Sequence, residues 1–350
     1  MANKSKTEKY LIAYFDILGY TSMIENKTID EGEFIKILTN LIKIINKTVR
    51  RNSLLATKRV KIYSFSDNFC ICAKADSEDR LMFQIRELVQ TMQRLQILLI
   101  EYYGIYIRGS LVIGKLYAGK NIIFGQGIID AYNMESKQAI YPRIVVDSKL
   151  VDWAVEFTKN KYNCFANSSD EFSFSINDIN EKTLFYCYDY LFFYNIYVNE
   201  VFEYDNLIWD KIFDKMSYSD TISIRKDNIG ICFVDFLGDT KGLTKDEFTS
   251  TFLGLFVSVL SNLKIKDEHI RLKYLWLCSY INEFCFENNY KQPLDEKTIL
   301  KALKISHLDA LKEIRIFNEN NSLDLNQELY KMSNFDEDYI MDLIEKDVGY

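Results

Sequence analysis

The sequence predicts an α+β sandwich, a sheet with helices laid across it, followed by a mixed, largely helical C-terminal extension. Short apolar segments rich in β-branched and aromatic residues alternate with longer segments whose apolar positions recur at helical spacing. Two of the strand-like segments are joined by a tight polar turn. The 350-residue chain has 2 prolines, so few elements are forcibly broken, and its 48% hydrophobic content supports a sizeable core.

Residues 10–17 (YLIAYFDI) read as a buried strand ended by Gly19. Phe34, Ile35, Leu38, Leu41, Ile42 and Ile45 give residues 31–50 helical spacing. Residues 59–65 (RVKIYSF) and 69–73 (FCICA) read as two strands joined by the turn Ser66-Asp67-Asn68. Residues 78–101 read as a helix, 104–113 (GIYIRGSLVI) as a strand, 127–138 as a helix, and Arg143 to Val146 as a strand. The order strand, helix, hairpin, helix, strand, helix, strand fits a sandwich of the ferredoxin-like or palm type. A dinucleotide-binding domain of the Rossmann type needs GxGxxG after its first strand, and none is present.

The pattern changes from about residue 156. Residues 161–176 are polar and strand-like in places, and 184–204 are crowded with Tyr and Phe, as suits a core or a dimer interface. Residues 228–235 (NIGICFVD) read as a further buried strand, and the chain from 245 onward reads as mostly helical. The expected organisation is a core domain over 8–155, remaining strands and the aromatic-rich segment over 156–240, and a helical extension over 241–350.

The net charge of −7 argues against a generic nucleic-acid binder. It does not exclude a nucleotide, whose phosphates a metal ion can screen. The cysteines, Cys70, Cys72, Cys164, Cys187, Cys232, Cys278 and Cys285, are odd in number and form no CxxC, so reduced core thiols and a cytoplasmic setting are expected. His269 and His307 are the only histidines, too few for a His-rich metal site. The N-terminal MANKSKTEKY is polar and has no signal-peptide core. Apolar runs such as 252–260 fall short of the roughly 18–20 residues that span a bilayer, so no membrane segment is expected.

Phe15-Asp16-Ile17-Leu18-Gly19-Tyr20-Thr21 is the first chemical candidate. An aspartate at the end of an apolar strand is costly to bury unless something compensates it, and a metal would. Gly19 lets the backbone turn closely, so amides there could cradle phosphate. The same Asp16 equally reads as a cap of the next turn or helix. Asp67, between two strands, reads as an ordinary turn residue when taken alone. Taken together, the first strand and the hairpin lie side by side in a palm-like sheet, which brings both carboxylates to one end. Two hard oxygen ligands there suit Mg²⁺ or Mn²⁺.

Four segments resemble, in order, the signatures of class III nucleotidyl cyclases. FDILGYT resembles the family's first strand, KIYSFSDNFCICA its hairpin, YIRGSLVIG its following strand, and FGQGIIDAYNMES its next helix. The resemblance covers roughly residues 8–150. It implies a nucleoside triphosphate substrate, two divalent metals per active site (Mn²⁺ or Mg²⁺), and a homodimer whose active sites are shared between subunits. It places Asp16 and Asp67 on the metal-binding aspartates, Ile17 where a backbone carbonyl reaches a metal, and Arg108 on an arginine that contacts the triphosphate. A guanidinium fork matches phosphate oxygens, although Arg108 also reads as an ion-pair residue.

The departures bear on the substrate. Tyr63 stands where purine cyclases carry the base-reading Lys, and Ile122 where they carry the base-reading Asp. Ile129 and Asn133 stand where the transition-state Asn and Arg are expected. Retention of Asp16, Asp67 and Arg108 beside these changes resembles the bacterial pyrimidine cyclases of the Pycsar anti-phage systems, which make cyclic UMP or cyclic CMP for a separate effector protein. The segments AIYPRI and KYLWL, with Tyr280 and Asn282, resemble that group as well. A packed helix explains the second of these equally. Tyr63 would fill purine space and bond a base edge, or simply pack at an interface. Arg143, beside the one proline of this half, is the expected replacement for the transition-state arginine. The expectation is a cytoplasmic pyrimidine cyclase. A catalytically silent nucleotide-binding or regulatory protein and a purine cyclase are the alternatives.

Overall fold

The computed structural model describes residues 7–25, 30–51, 60–166, 174–199, 222–227, 229–240 and 268–288, with isolated positions between 248 and 290. In chain order the elements are β1 (Glu8–Ile17), α1 (Tyr20–Glu25), α2 (Glu31–Arg51), β2 (Val60–Phe65), β3 (Asn68–Lys74), α3 (Glu78–Tyr103), β4 (Ile107–Ala118), β5 (Ile123–Phe124), α4 (Gln126–Gln138), β6 (Ile144–Val146), α5 (Ser148–Ala166), α6 (Leu184–Asn199), β7 (Ile224–Lys226), β8 (Cys232–Val234) and α7 (Glu268–Glu287). The chain passes between two compact units after Ile17, Ile45, Leu95, Tyr106 and Lys241.

The first unit holds the whole sheet, of order β2-β3-β1-β4-β6-β8-β7 with β5 paired to β4. The first four strands are antiparallel to their neighbours. Thus β1 runs parallel to β2 with β3 between them, and β3 runs parallel to β4 with β1 between them. That interleaving of two split βαβ units is the ferredoxin-like arrangement expected from the element order. β6 then adds parallel to β4, and the β7–β8 hairpin completes the sheet. The mixed sheet with its helices bears out the α+β class.

β1 is central and has no solvent face, so Leu11, Ile12, Ala13 and Phe15 are all fully buried. Its odd positions face one layer, where Phe15 stacks on Phe69 of β3 at 5.3 Å. Its even positions face α4: Tyr10, Ile12 and Tyr14 cluster with Cys70, Cys72, Val112 and Ala131. α4 lies unusually close to the sheet because two glycines meet. A Cβ on Gly114 would stand 2.5 Å from the Gly127 Cα. One helical turn on, the buried Ser110 hydroxyl donates to the Ala131 carbonyl at 2.8 Å. These two contacts set which residue of α4 comes next along β4.

Several segments differ from the sequence expectation. The fourth strand starts at Ile107 and runs to Ala118, because Gly104 turns the chain with φ 61° before it. The strand-like character of 161–176 gives way to α5 as far as Ala166. There Trp153 stacks on Phe157 at 5.3 Å and Lys161 sits over the Phe157 ring, a ladder at four-residue spacing that only a helix provides. β7 escaped the sequence reading, being three residues long and polar in its middle. Cys164 is exposed, unlike the other six free cysteines.

In the second unit Tyr20 packs on Phe34 at 5.3 Å. Phe248 stacks between Phe284 and Tyr290 at 5.6 and 4.7 Å. In α7 Trp276 lies flat on Tyr280 one turn away, and Leu277, Cys278, Ile281 and Phe284 are buried, which is the packed-helix reading of that segment. His269 lies in α7, and His307 falls outside the described residues, as does most of the expected 241–350 extension. Among the described residues no helix is long and apolar enough to cross a membrane.

Candidate active site

The site is built at the end of the central strand pair. Asp16 is the penultimate residue of β1, and in the sheet it stands directly between Asn68 of β3 and Arg108 of β4. Directly paired residues in antiparallel strands point to the same face, so Asp16, Asn68 and Arg108 share the α4 side. Asp67 sits in the two-residue turn between β2 and β3. Its carbonyl accepts a bond from Ile17 N at 3.3 Å, which ties the turn to the end of β1. Asn68 accepts from the Tyr14 hydroxyl and donates its amide to Asp67 Oδ1 at 3.1 Å. Ser66 takes φ 58° as the first central residue of this turn. Primed hairpin turns demand a positive φ there, and a non-glycine residue accepts it at some cost.

Arg108 faces Asp16 with its fork, Nε to Oδ1 at 3.0 Å and Nη2 to Oδ2 at 3.1 Å. Its Nε also lies 2.8 Å from Oε1 of Glu135. Glu135 is one turn beyond Ala131 on α4 and 2% exposed. Its Oε1 is near Arg108 but finds no well-aligned hydrogen-bond donor. Burial works against the charge on Arg108, yet the bonds to Asp16 and the charges of Asp16 and Glu135 outweigh it and hold its pKa above the ordinary value. For Glu135, burial and the neighbouring charges of Asp16 and Asp67 outweigh Arg108 and push its pKa up to about 7. Two carboxylates therefore meet one guanidinium, and Asp67 adds a third negative charge that Glu135 feels.

Such a cluster has negative charge to spare. Among the described residues no three His, Cys, Asp or Glu side chains stand in metal-ligating geometry. The donor chemistry nevertheless fits a hard divalent cation, with two carboxylates and backbone carbonyls on the protein and the remaining positions left to water or phosphate oxygen. The surplus of charge around Glu135 is the kind that a cation relieves.

The structure thus brings together Asp16, Asp67 and Arg108 of the residues singled out in the sequence, with Ile17 next in the strand. Gly19 turns the chain with φ 83°, and Gly19 and Tyr20 belong to the second unit. Tyr63 lies on the edge strand β2, its ring against the α4-side core. Its hydroxyl donates to the Gly119 carbonyl at 2.6 Å, and Lys61, two residues earlier, reaches the Ala118 carbonyl. Burial pushes the Tyr63 hydroxyl up to about 12, so it stays a donor. Tyr63 and Lys61 together clasp the β4–β5 hairpin. That hairpin carries Ile122, 63% exposed, and α4 after it carries Ile129, 50% exposed.

Arg143 is placed differently. It is 1% exposed, with Nη1 on Asp227 Oδ2 at 2.8 Å and its guanidinium over the rings of Tyr141 and Phe233. The structure does not bring its side chain into the Asp16–Arg108 set. Glu135 is the site residue that sequence reasoning missed. Its signal was the spacing Gly127, Ala131, Glu135, the buried stripe of α4, in which a carboxylate follows two small residues at four-residue intervals.

No family model matches the chain, and no curated protein matches it. Among solved structures, the monomeric guanylyl cyclase domain of the RhoGC fusion protein from the aquatic fungus Blastocladiella emersonii aligns at 16% identity and TM-score 0.31, over 43% of this chain and 89% of that one. The catalytic core of a rhodopsin-guanylyl cyclase with converted specificity, in complex with ATPαS, aligns at 16% identity and TM-score 0.33, over 42% of this chain and 81% of that one. A class III adenylyl cyclase-like ATP-binding protein from Pseudomonas aeruginosa aligns at 13% identity and TM-score 0.30, over 49% of this chain and 40% of that one. At these levels the alignments carry no argument about the chemistry of this chain.

Proposed function

We propose that this protein is a nucleotidyl cyclase of the class III kind that converts a pyrimidine nucleoside triphosphate, UTP or CTP, into its 3′,5′-cyclic monophosphate and pyrophosphate. The observation that carries the reading is the meeting of Asp16, Asp67 and Arg108 at one sheet end, from three segments far apart in the chain, with one carboxylate more than the guanidinium can neutralise. Two divalent cations, Mn²⁺ or Mg²⁺, would supply Lewis acidity at the ribose 3′-hydroxyl and at the departing pyrophosphate. Asp16, Asp67 and the Ile17 carbonyl would hold them. Arg108, once its fork leaves Asp16, offers paired donors to polyphosphate oxygens. Gly19 and Tyr20 are proposed to give backbone donors to phosphate.

The pyrimidine preference rests on what is missing. Tyr63 and Ile122 replace both purine-reading side chains of the resembled family, and the Tyr63 hydroxyl is committed to Gly119. The Tyr63 contribution to the base site is therefore its bulk and the position in which it holds the hairpin. Exposed apolar side chains at Phe65, Ile122, Phe124, Ile129 and Tyr132 support a surface covered by a second copy of the chain, in keeping with shared active sites. The product would act as a second messenger read by a separate effector in anti-phage defence, in the cytoplasm.

One observation favours a second reading, a nucleotide-binding protein that does not turn over. Ile129 and Asn133 occupy the expected transition-state positions, and Arg143 is held by Asp227. Incubation with each of the four NTPs and Mn²⁺, with products identified by mass spectrometry, separates the readings. Cyclic UMP or cyclic CMP supports the first. Binding without product supports the second, and a cyclic purine nucleotide overturns the pyrimidine assignment.

A further inference from the structure

We propose that Glu135 is a positioning residue for Arg108, holding its guanidinium in place when the Asp16 carboxylate is given over to a cation. The inference rests on the cyclase reading and concerns the same site. As the protein stands, Arg108 is held by Asp16 through two bonds, at 3.0 and 3.1 Å. A cation on Asp16 competes with the arginine fork for the carboxylate's lone pairs, so loading the site weakens that anchor. The side chain of Arg108 is long and loses much rotamer freedom when fixed. Unanchored, it would reach the phosphates only part of the time.

Glu135 is placed to take over. Its Oε1 lies 2.8 Å from Arg108 Nε already, while Asp16 still holds the fork. It is buried in α4, so it has little freedom of its own, and it approaches from the helix side rather than along the sheet. Binding through Nε would leave both terminal nitrogens of Arg108 free to point outward. The position of Glu135 is itself over-determined by the Gly114–Gly127 contact and the Ser110–Ala131 bond, at successive turns of α4. A buried carboxylate whose near oxygen lacks an aligned donor is costly to retain for stability alone. Its place beside the one arginine of the site gives the cost a purpose.

The experiment measures binding of inorganic tripolyphosphate in the presence of Mn²⁺ by calorimetry, for wild type, Glu135→Gln, Arg108→Ala and the double variant, with melting curves as a fold check. Neutralising a carboxylate near a polyanion should, on charge alone, tighten binding. A positioning role predicts the opposite: about tenfold weaker binding in Glu135→Gln and no further loss when Glu135→Gln is added to Arg108→Ala. In turnover the same variant should raise KM more than it lowers kcat. Unchanged or tighter binding in Glu135→Gln, or full additivity with Arg108→Ala, overturns the role of Glu135 while leaving the functional reading intact. A wild type that binds no Mn²⁺–tripolyphosphate overturns both. If Glu135→Gln fails to fold, Glu135→Asp, one methylene too short for the contact, is read by the same criteria.

Discussion

Arg143, Arg86 and Arg108, all in the first unit, pair with acidic side chains in three different ways. Arg143 and Asp227 form a closed pair. Asp227 spends one oxygen on Arg143 and the other on the backbone N–H groups of Ile229 and Ile231, so every strong acceptor is used. Arg86 takes two carboxylates, but on separate nitrogens, Nε to Asp189 and Nη1 to Glu87, and staples α3 to α6. At Arg108 the same Nε faces both Asp16 and Glu135, and Asp67 adds a third negative charge. The first is matched one to one, and in the second each carboxylate has a guanidinium nitrogen of its own. In the third two carboxylates share one nitrogen, and the cluster lies at the partly exposed end of β1 rather than within the core. A matched buried pair is expected where an arginine only holds the fold together, and an unmatched one where something else is to bind.

The largest expected effect is on chemistry. Asp67→Ala should lower product formation at least about 100-fold in the mass-spectrometric assay, with the melting curve little changed, because Asp67 is a half-buried turn residue whose carboxylate accepts a bond from the adjacent Asn68 amide. Next, the two arginines should split stability from activity. Arg143→Met leaves Asp227 without its partner and should cost about 3–5 kcal/mol in urea unfolding. Arg108→Met, at the partly exposed end of β1, should cost less than that yet reduce turnover sharply. Equal destabilisation by the two would break the comparison.

A pH effect of intermediate size follows from Glu135. Its pKa rises from 4.5 to about 7 on folding, so between these values the native state binds the proton that the unfolded state has released. Stability from this group is present below the unfolded value and lost as pH rises through the folded one. Glu135→Gln should therefore gain on wild type from pH 4.5 to 7 in metal-free protein, by up to roughly 3 kcal/mol. Denaturant titrations of both proteins across that range measure it. A difference that is flat with pH would mean that burial and the acidic neighbours do not raise the Glu135 carboxyl. Smallest of all, Ser66→Gly should stabilise the hairpin by about 0.5–1 kcal/mol through relief of its positive φ, leaving the carboxylates in place.

Much of the first unit was legible because period and order are local properties. Hydrophobic alternation and helical spacing located β1 to β4, α2, α3 and α4 within a few residues, and their order selected the interleaved topology. Asp16 and Asp67 were visible as polar residues where an apolar strand ends and where a hairpin turns. What was illegible depends on partners distant in the chain. That Arg143 is sealed against Asp227 requires knowing that the β7–β8 turn packs beside β6, and β7 left little trace of itself. That the Tyr63 hydroxyl is spent on Gly119 depends on how the β4–β5 hairpin folds over the sheet. Glu135 looked like one more polar residue of a helix, and only the close Gly114–Gly127 approach turns it onto Arg108.

The claim at the centre of this account is that the unmatched carboxylates beside Arg108 bind a divalent cation. Electron paramagnetic resonance titration of Mn²⁺, in the presence of tripolyphosphate, measures it for wild type, Asp16→Asn and Asp67→Asn. The account predicts a bound-Mn²⁺ signal in the wild type that either substitution weakens at least about tenfold. Binding that is equal in all three proteins, or absent from the wild type, would contradict it.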